Sequence, residues 1–124
     1  MPTFWGSDIN NKALEAAQDL LSHNGLQGTH LVCSNLFSEI DANQKFDAIV
    51  FNPPYVVTEQ DELDRAQETR GIEAAWAGGK HGIQVLFDFL PQARDRLTEN
   101  GVIYLLLIDA NIPLIPMLAD RFGF

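Results

Sequence analysis

Asn52-Pro53-Pro54-Tyr55 follows directly on the apolar run Phe46-Asp47-Ala48-Ile49-Val50-Phe51. An amide, two prolines and a phenol at the end of such a run can hold a planar NH2 group. The lone pair of an amide or ring amine is delocalised, so a site that makes the nitrogen react must grip its hydrogens. That aims the lone pair at an electrophile and stabilises the positive charge developing on nitrogen. The side-chain oxygen of Asn52 offers one acceptor and the backbone carbonyl of Pro53 a second. Pro53 and Pro54 stiffen the loop so that neither acceptor has to reorganise, and Tyr55 can pack its ring on the planar group. The chemistry this suits is methyl transfer to a planar nitrogen. A plain proline-rich turn would account for the prolines, but not for the asparagine and the aromatic around them.

Two more polar residues stand just after apolar runs. Asp8 closes a run over residues 3–7, and a carboxylate there can accept both vicinal hydroxyls of a ribose, with Ile9 beside it offering an apolar face to an adenine. The same aspartate could instead cap a following helix. Asn35, ahead of Leu36, closes the run over residues 30–33. Its carbonyl could accept from an adenine amino group, or it could be a turn residue.

Four apolar runs, 3–7, 30–33, 46–51 and 102–108, read as buried parallel strands. Ala13, Ala16, Ala17, Leu20 and Leu21 form a helical stripe between the first two, capped by Asn10 or Asn11 and ended by Asn24-Gly25. Ile83, Phe87 and Leu90 form a second stripe that Pro91 is expected to kink or interrupt, and Asn100-Gly101 reads as the turn into the last strand. Residues 111–124 read as a final helix with Pro113 in its first turn, where Pro116 must also lie or else distort it. Alternating strands and helices predict an α/β sandwich with a mostly parallel sheet. Ligands of such sheets bind beyond the carboxyl ends of the strands, where Asp8, Asn35 and Asn52 stand.

At 124 residues and 46% hydrophobic, the chain suffices for one domain with one core, or for part of one. A net charge of −9 leaves little basic surface for phosphates, so direct binding to nucleic acid or an anionic membrane is disfavoured and a basic protein partner fits better. Cys33 is the only cysteine, which rules out an intramolecular disulfide and a cysteine zinc cluster and suits a reducing compartment. His23, His30 and His81 do not stand at metal-ligand spacing from acids, so no metal is expected. The longest apolar stretch, 102–108, is far short of the ~20 residues a membrane helix needs.

The segment 51–57, Phe-Asn-Pro-Pro-Tyr-Val-Val, together with 71–79, Gly-Ile-Glu-Ala-Ala-Trp-Ala-Gly-Gly, resembles the eukaryotic and archaeal branch of the HemK-type class I methyltransferases. Those enzymes modify the glutamine of the Gly-Gly-Gln loop in class I translation release factors. The first motif also occurs in amino-methylating DNA enzymes; the second is more particular to this branch. Residues 6–10, Gly-Ser-Asp-Ile-Asn, resemble the family's ribose-binding strand end.

The resemblance implies a Rossmann-like class I methyltransferase sandwich that uses S-adenosyl-L-methionine. Asp8 and Ile9 would contact its nucleoside, Asn35 and Leu36 would lie near its adenine, and Asn52 would face both donor and substrate. Asn52, Pro53, Pro54 and Tyr55 would orient the substrate glutamine. Asn35 departs from the family's usual aspartate, which keeps an acceptor oxygen and removes a charge. The family's first strand with its glycine-rich loop belongs upstream of Asp8, and its closing antiparallel strands belong after Phe124. The fold is therefore expected to be incomplete, its sheet lacking a central strand.

The implied partners are a release factor as substrate and a small zinc-binding activator protein, in the cytoplasm or nucleus. The activator would meet the edge strand at residues 30–33. Residues 56–79 are expected to form an acidic loop, with Glu59, Asp61, Glu62, Asp64, Glu68 and Glu73 against Arg65 and Arg70, which either attracts a basic substrate face or is simply solvated. Two other readings stay open: methylation of a protein lysine or an adenine amine, and a non-catalytic chain that binds the same partners.

Overall fold

The computed structural model describes residues 1–124, with His81 described by its backbone alone. The chain divides into two compact units, Met1–Asp41 and Ala42–Phe124.

The first unit is a strand, a helix and a parallel strand. β1 (Phe4–Asp8) pairs with β2 (Thr29–Cys33) in the register Phe4↔Thr29 to Asp8↔Cys33. The register pair Trp5 and His30 stacks with ring centroids 4.5 Å apart. α1 (Asn11–His23) makes the crossover that a parallel pair requires. Asn10 is its cap: the side-chain oxygen accepts from the Lys12 N–H at 2.9 Å. Asn24 closes it, donating from both backbone and side chain to the Leu20 carbonyl. The inward stripe is Leu14, Ala17 and Leu21, all half-buried, whereas Ala13, Ala16 and Leu20 of the expected stripe are exposed.

The second unit pairs β3 (Phe46–Phe51) with β4 (Leu97–Leu105), again in parallel. Residues 48–51 stand opposite 102–105 in regular register, with an irregularity between Phe46 and Ala48. Asn100-Gly101 lies within the bounds of β4 but in that irregularity, immediately before the regular pairing that starts at Val102. The strand also ends earlier than the apolar run does, at Leu105.

α3 (Gln84–Arg96) covers one face of this pair. Its buried residues are Val85, Leu86, Phe89, Leu90 and Ala93, and the Phe89 ring meets that of Phe51 with centroids 4.1 Å apart. Of the two expected effects of Pro91, a kink or an interruption, the interruption does not occur: the helix runs through it. Pro91 is exposed, so the carbonyl that its missing N–H leaves unpaired can face water, and the buried residues on either side hold the helix together. Of the expected stripe Leu90 is buried, whereas Ile83 stands at the helix start and Phe87 is only half-buried.

The expected final helix is two elements. Residues Asp109–Leu114 form a 3₁₀ segment containing Pro113, and α4 (Ile115–Phe122) begins with Pro116 in its first turn. Pro116 thus sits where a missing N–H costs least, whereas Pro113, expected in a first helical turn, lies inside the 3₁₀ segment near its end. The acidic segment expected as a loop also contains a helix, α2 (Gln60–Thr69), which buries Leu63 and Ala66 three residues apart and exposes Asp61, Glu62, Asp64 and Glu68. Asp61 and Glu62 in its first turn suit the positive end of the helix dipole.

The four strands make two two-stranded parallel sheets and not one continuous sheet, as an incomplete α/β fold should. The outer face of β3 and β4 is open: the register pair Val50 and Tyr104 is 78% and 63% exposed. These strands are thus buried on one face only, not on both as their composition suggested.

Two outcomes test this packing. Leu86 is 2% exposed, and Leu86→Ala should destabilise the second unit by about 2–5 kcal/mol, read from chemical denaturation. Partial burial raises the Asp88 carboxyl on α3 from its ordinary value, so its charged form opposes folding at neutral pH. Asp88→Asn should raise the unfolding temperature at neutral pH, and the gain should vanish as pH falls through the carboxylate range and Asp88 itself becomes neutral.

Candidate functional site

β3 stops at Phe51 for a chemical reason. The Phe51 carbonyl accepts the Leu106 N–H at 3.0 Å, and two residues later the chain reaches Pro53 and Pro54, which have no N–H to continue a ladder. Asn52 emerges there with an exposed side chain that makes no hydrogen bond among the described residues. Pro53 is buried, Pro54 half-buried and Tyr55 40% exposed. A rigid stem thus presents a free amide and an accessible phenol.

The loop is braced from the other side of α2. The Val56 N–H donates to the Trp76 carbonyl at 2.9 Å, and the Gly78 N–H donates back to the Val56 carbonyl at 2.8 Å. Thr58 then bonds Gly79 twice: its N–H donates to the Gly79 carbonyl at 3.1 Å, and its hydroxyl oxygen accepts the Gly79 N–H at 2.9 Å. The Gln84 N–H holds the Gly78 carbonyl at 2.9 Å, tying the brace to the first turn of α3.

Glycine is required at two points in this brace. A Cβ on Gly78 would lie 2.7 Å from the Pro54 carbonyl oxygen, and one on Gly82, whose φ is +66°, would collide with the Tyr55 carbonyl. The motif at residues 71–79 therefore reaches the Asn-Pro-Pro-Tyr loop through backbone contacts. Trp76 contributes its carbonyl, and its side chain is 37% exposed.

In the first unit, Asp8, the last residue of β1, and Asn35, two residues past β2, are both exposed at the carboxyl ends of strands that are in register. One oxygen of the Asp8 carboxylate accepts the Asn10 N–H at 2.8 Å, so Asp8 shapes the entry to α1 while Asn10 makes the cap. The Asp8 carbonyl accepts the Ser34 N–H at 2.9 Å. Asn35 opens a tight turn, its carbonyl accepting the Ser38 N–H at 3.1 Å. Leu36, half-buried, has φ +52°, a conformation that costs a non-glycine residue about 1–3 kcal/mol and has to be held by its surroundings. Ile9 is half-buried, and its carbonyl accepts from the Cys33 thiol at 3.6 Å.

The sequence-derived residues thus form two groups. Asp8, Ile9, Asn35 and Leu36 share one strand end in the first unit; Asn52, Pro53, Pro54 and Tyr55 share one in the second. Sequence reasoning missed Ser34 and Thr58, which are 1% and 8% exposed. Ser34 accepts the Glu39 N–H at 3.1 Å and so closes the turn that carries Asn35 and Leu36. Neither hydroxyl had a signature, because a serine or threonine beside a loop is ordinary until its partner is known. Among the described residues no group of three His, Cys, Asp or Glu side chains could hold a metal, and the His81 side chain lies outside them.

Comparison with known proteins bears on what these strand ends serve. Residues 3–76 match the family described as Methyltransferase small domain. The chain belongs to that family. It is 48% identical over 69 residues to Methyltransferase HEMK2 of Mus musculus, which covers 56% of this chain and 30% of that protein. It is 34% identical over 113 residues to the eRF1 methyltransferase catalytic subunit mtq2 of Schizosaccharomyces pombe, covering 85% of this chain and 47% of that one. The chain therefore spans less than half the length of either relative. The crystal structure of a ribosomal protein L11 methylase from Lactobacillus delbrueckii subsp. bulgaricus superposes with a TM-score of 0.66 over 97% of this chain and 47% of its own, at 21% identity. That likeness establishes a methyltransferase-type α/β fold for the chain.

Replacing Gly82 tests the brace. Gly82→Ala should lower the unfolding free energy of the second unit by more than about 1 kcal/mol, since the positive φ and the blocked Cβ position act together. The backbone amide resonances of Tyr55 and Val57 should shift with it.

Proposed function

We propose that this chain forms the substrate-orienting and nucleoside-binding part of an S-adenosyl-L-methionine-dependent methyltransferase that methylates the side-chain nitrogen of the glutamine in the Gly-Gly-Gln loop of a class I translation release factor. The observation that carries the reading is the Asn52 side chain, exposed and without a hydrogen bond among the described residues, at the end of a proline-stiffened strand exit. The names of the fission yeast relative and of a release factor glutamine methyltransferase from Borreliella burgdorferi, 32% identical over 98 residues, support the substrate.

In this reading the glutamine NH2 gives one hydrogen to the Asn52 side-chain oxygen and the other to the Pro53 carbonyl. Both acceptors hold the NH2 plane so that the nitrogen lone pair faces the methyl donor, and they stabilise positive charge on nitrogen as the new bond forms. The backbone that carries them is held by strand and proline before substrate arrives, so little backbone reorganisation falls on the reacting step. Tyr55 lies along the plane of the amide. When bound, S-adenosyl-L-methionine supplies a methyl group on a positively charged sulfur, and the proton the nitrogen loses passes to solvent.

The residues of the first unit suit the nucleoside of that donor. The Asp8 carboxylate gives one oxygen to the Asn10 N–H and keeps acceptor capacity for ribose hydroxyls. Ile9 and Leu36 offer apolar contact to adenine, and the exposed Asn35 amide an acceptor for its amino group. The unpaired edge of β2 is the proposed seat of a small zinc-binding activator, which could add a strand there. A release factor substrate puts the reaction in the cytoplasm.

The reading is tested by assaying the full-length protein that carries this chain for transfer of labelled methyl to release factor. Asn52→Ala should reduce kcat by about 10²–10³-fold. Release factor with its loop glutamine replaced should accept no label. Label on that variant, or on a histone peptide or DNA at a comparable rate, would replace glutamine with another amine.

A further inference from the structure

We infer that Thr58 is a positioning residue for the methyl-transfer loop, acting through the Gly79 backbone; this deepens the reaction proposed above and rests on it. Residues 59–78 leave the site and come back, carrying α2 and a 3₁₀ turn at Ile72–Ala75. The excursion is closed at its neck by the two Thr58–Gly79 hydrogen bonds, and among the described residues the Thr58 hydroxyl is the only side-chain atom among the backbone partners of that neck.

The neck has a mechanical consequence. Gly78 and Gly82 lie on either side of Gly79 and fill the space behind the Pro54 and Tyr55 carbonyls, with no room for even a methyl group. Whatever fixes Gly79 therefore fixes how far Pro54 and Tyr55 can move away from the substrate. Leu63 of α2 packs against Gly79 as well: a Cβ there would stand 2.6 Å from its side chain. The helix is thereby coupled to the same point.

Removing the Thr58 acceptor leaves the Gly79 N–H buried without a partner, which loosens the neck locally and costs the loop its backing. Valine at this position keeps the shape of threonine and removes only the acceptor. Serine keeps the acceptor and removes only the methyl. A role confined to packing would rank these two variants the other way round.

The experiment compares Thr58→Val, Thr58→Ser and, should valine prevent folding, Thr58→Ala in the full-length protein that carries this chain. Two readouts are used: amide exchange and chemical shifts of Gly79, Asn52 and Tyr55, and steady-state methyl transfer to release factor. The valine or alanine variant should show faster Gly79 exchange, shifted Asn52 and Tyr55 resonances, and kcat lowered about ten- to a hundredfold with KM for the methyl donor unchanged. Serine should restore all three. Faster Gly79 exchange with Asn52, Tyr55 and kcat unmoved would overturn the inference, as would serine behaving like valine. If the resonances respond as expected while the wild-type protein methylates no glutamine, the positioning role stands and the proposed substrate falls.

Discussion

The parallel pairing of β3 with β4 is the constraint on which the candidate site depends. A parallel pair cannot be closed by a tight turn, so the residues between the two strands must leave the sheet and return through a crossover. Here that crossover carries the Asn-Pro-Pro-Tyr loop, α2, the glycine brace and α3. Its last helix lays Phe89 on Phe51, and so anchors the residue that immediately precedes Asn52. The position of the free amide is thus set by a contact between residues 38 positions apart.

Within that crossover, rigidity comes from two opposite devices. On the strand side, prolines remove freedom and hydrogen-bond donors. On the returning side, glycines let backbone approach backbone, and Thr58 locks the approach with a hydroxyl. A site built for preorganised acceptors benefits from both, since an acceptor that must move before it can bind an NH2 group loses part of its effect. The open face bearing Val50 and Tyr104 shows that strength is concentrated on the side facing α3. Parallel strands are ordinarily covered on both faces, and this pair is covered on one.

The first unit solves a similar problem with less apolar material. α1 has no fully buried residue, and its two ends are secured by Asn10 and Asn24. The strand end carrying Asp8, Asn35 and Leu36 is held by the buried hydroxyl of Ser34 and by the turn from Asn35 to Ser38. In both units a buried hydroxyl accepting a backbone N–H holds the loop beside the exposed polar residues. Ser34 and Thr58 do equivalent work on unrelated segments.

Much of this was legible in the residues themselves. The four apolar runs located the strands, with β3 matched to the residue, because a short run of β-formers bounded by prolines or polar residues has few other uses. Asn10 and Asn24 marked the ends of α1 because capping is local chemistry. The Asn-Pro-Pro-Tyr loop was legible for the same reason: its rigidity is covalent. What the residues left open was every choice settled at a distance. Pro91 stays inside a helix because its exposed position and buried neighbours allow it. The acidic segment is helical because Leu63 and Ala66 find a core, and β4 begins at Leu97, ahead of Asn100-Gly101, because Leu97 pairs with Phe46. Local chemistry determines caps, turns and stiff loops. Which face of a helix is covered, and which hydroxyl meets which amide, depends on surfaces that come together only when residues far apart in the chain are brought side by side.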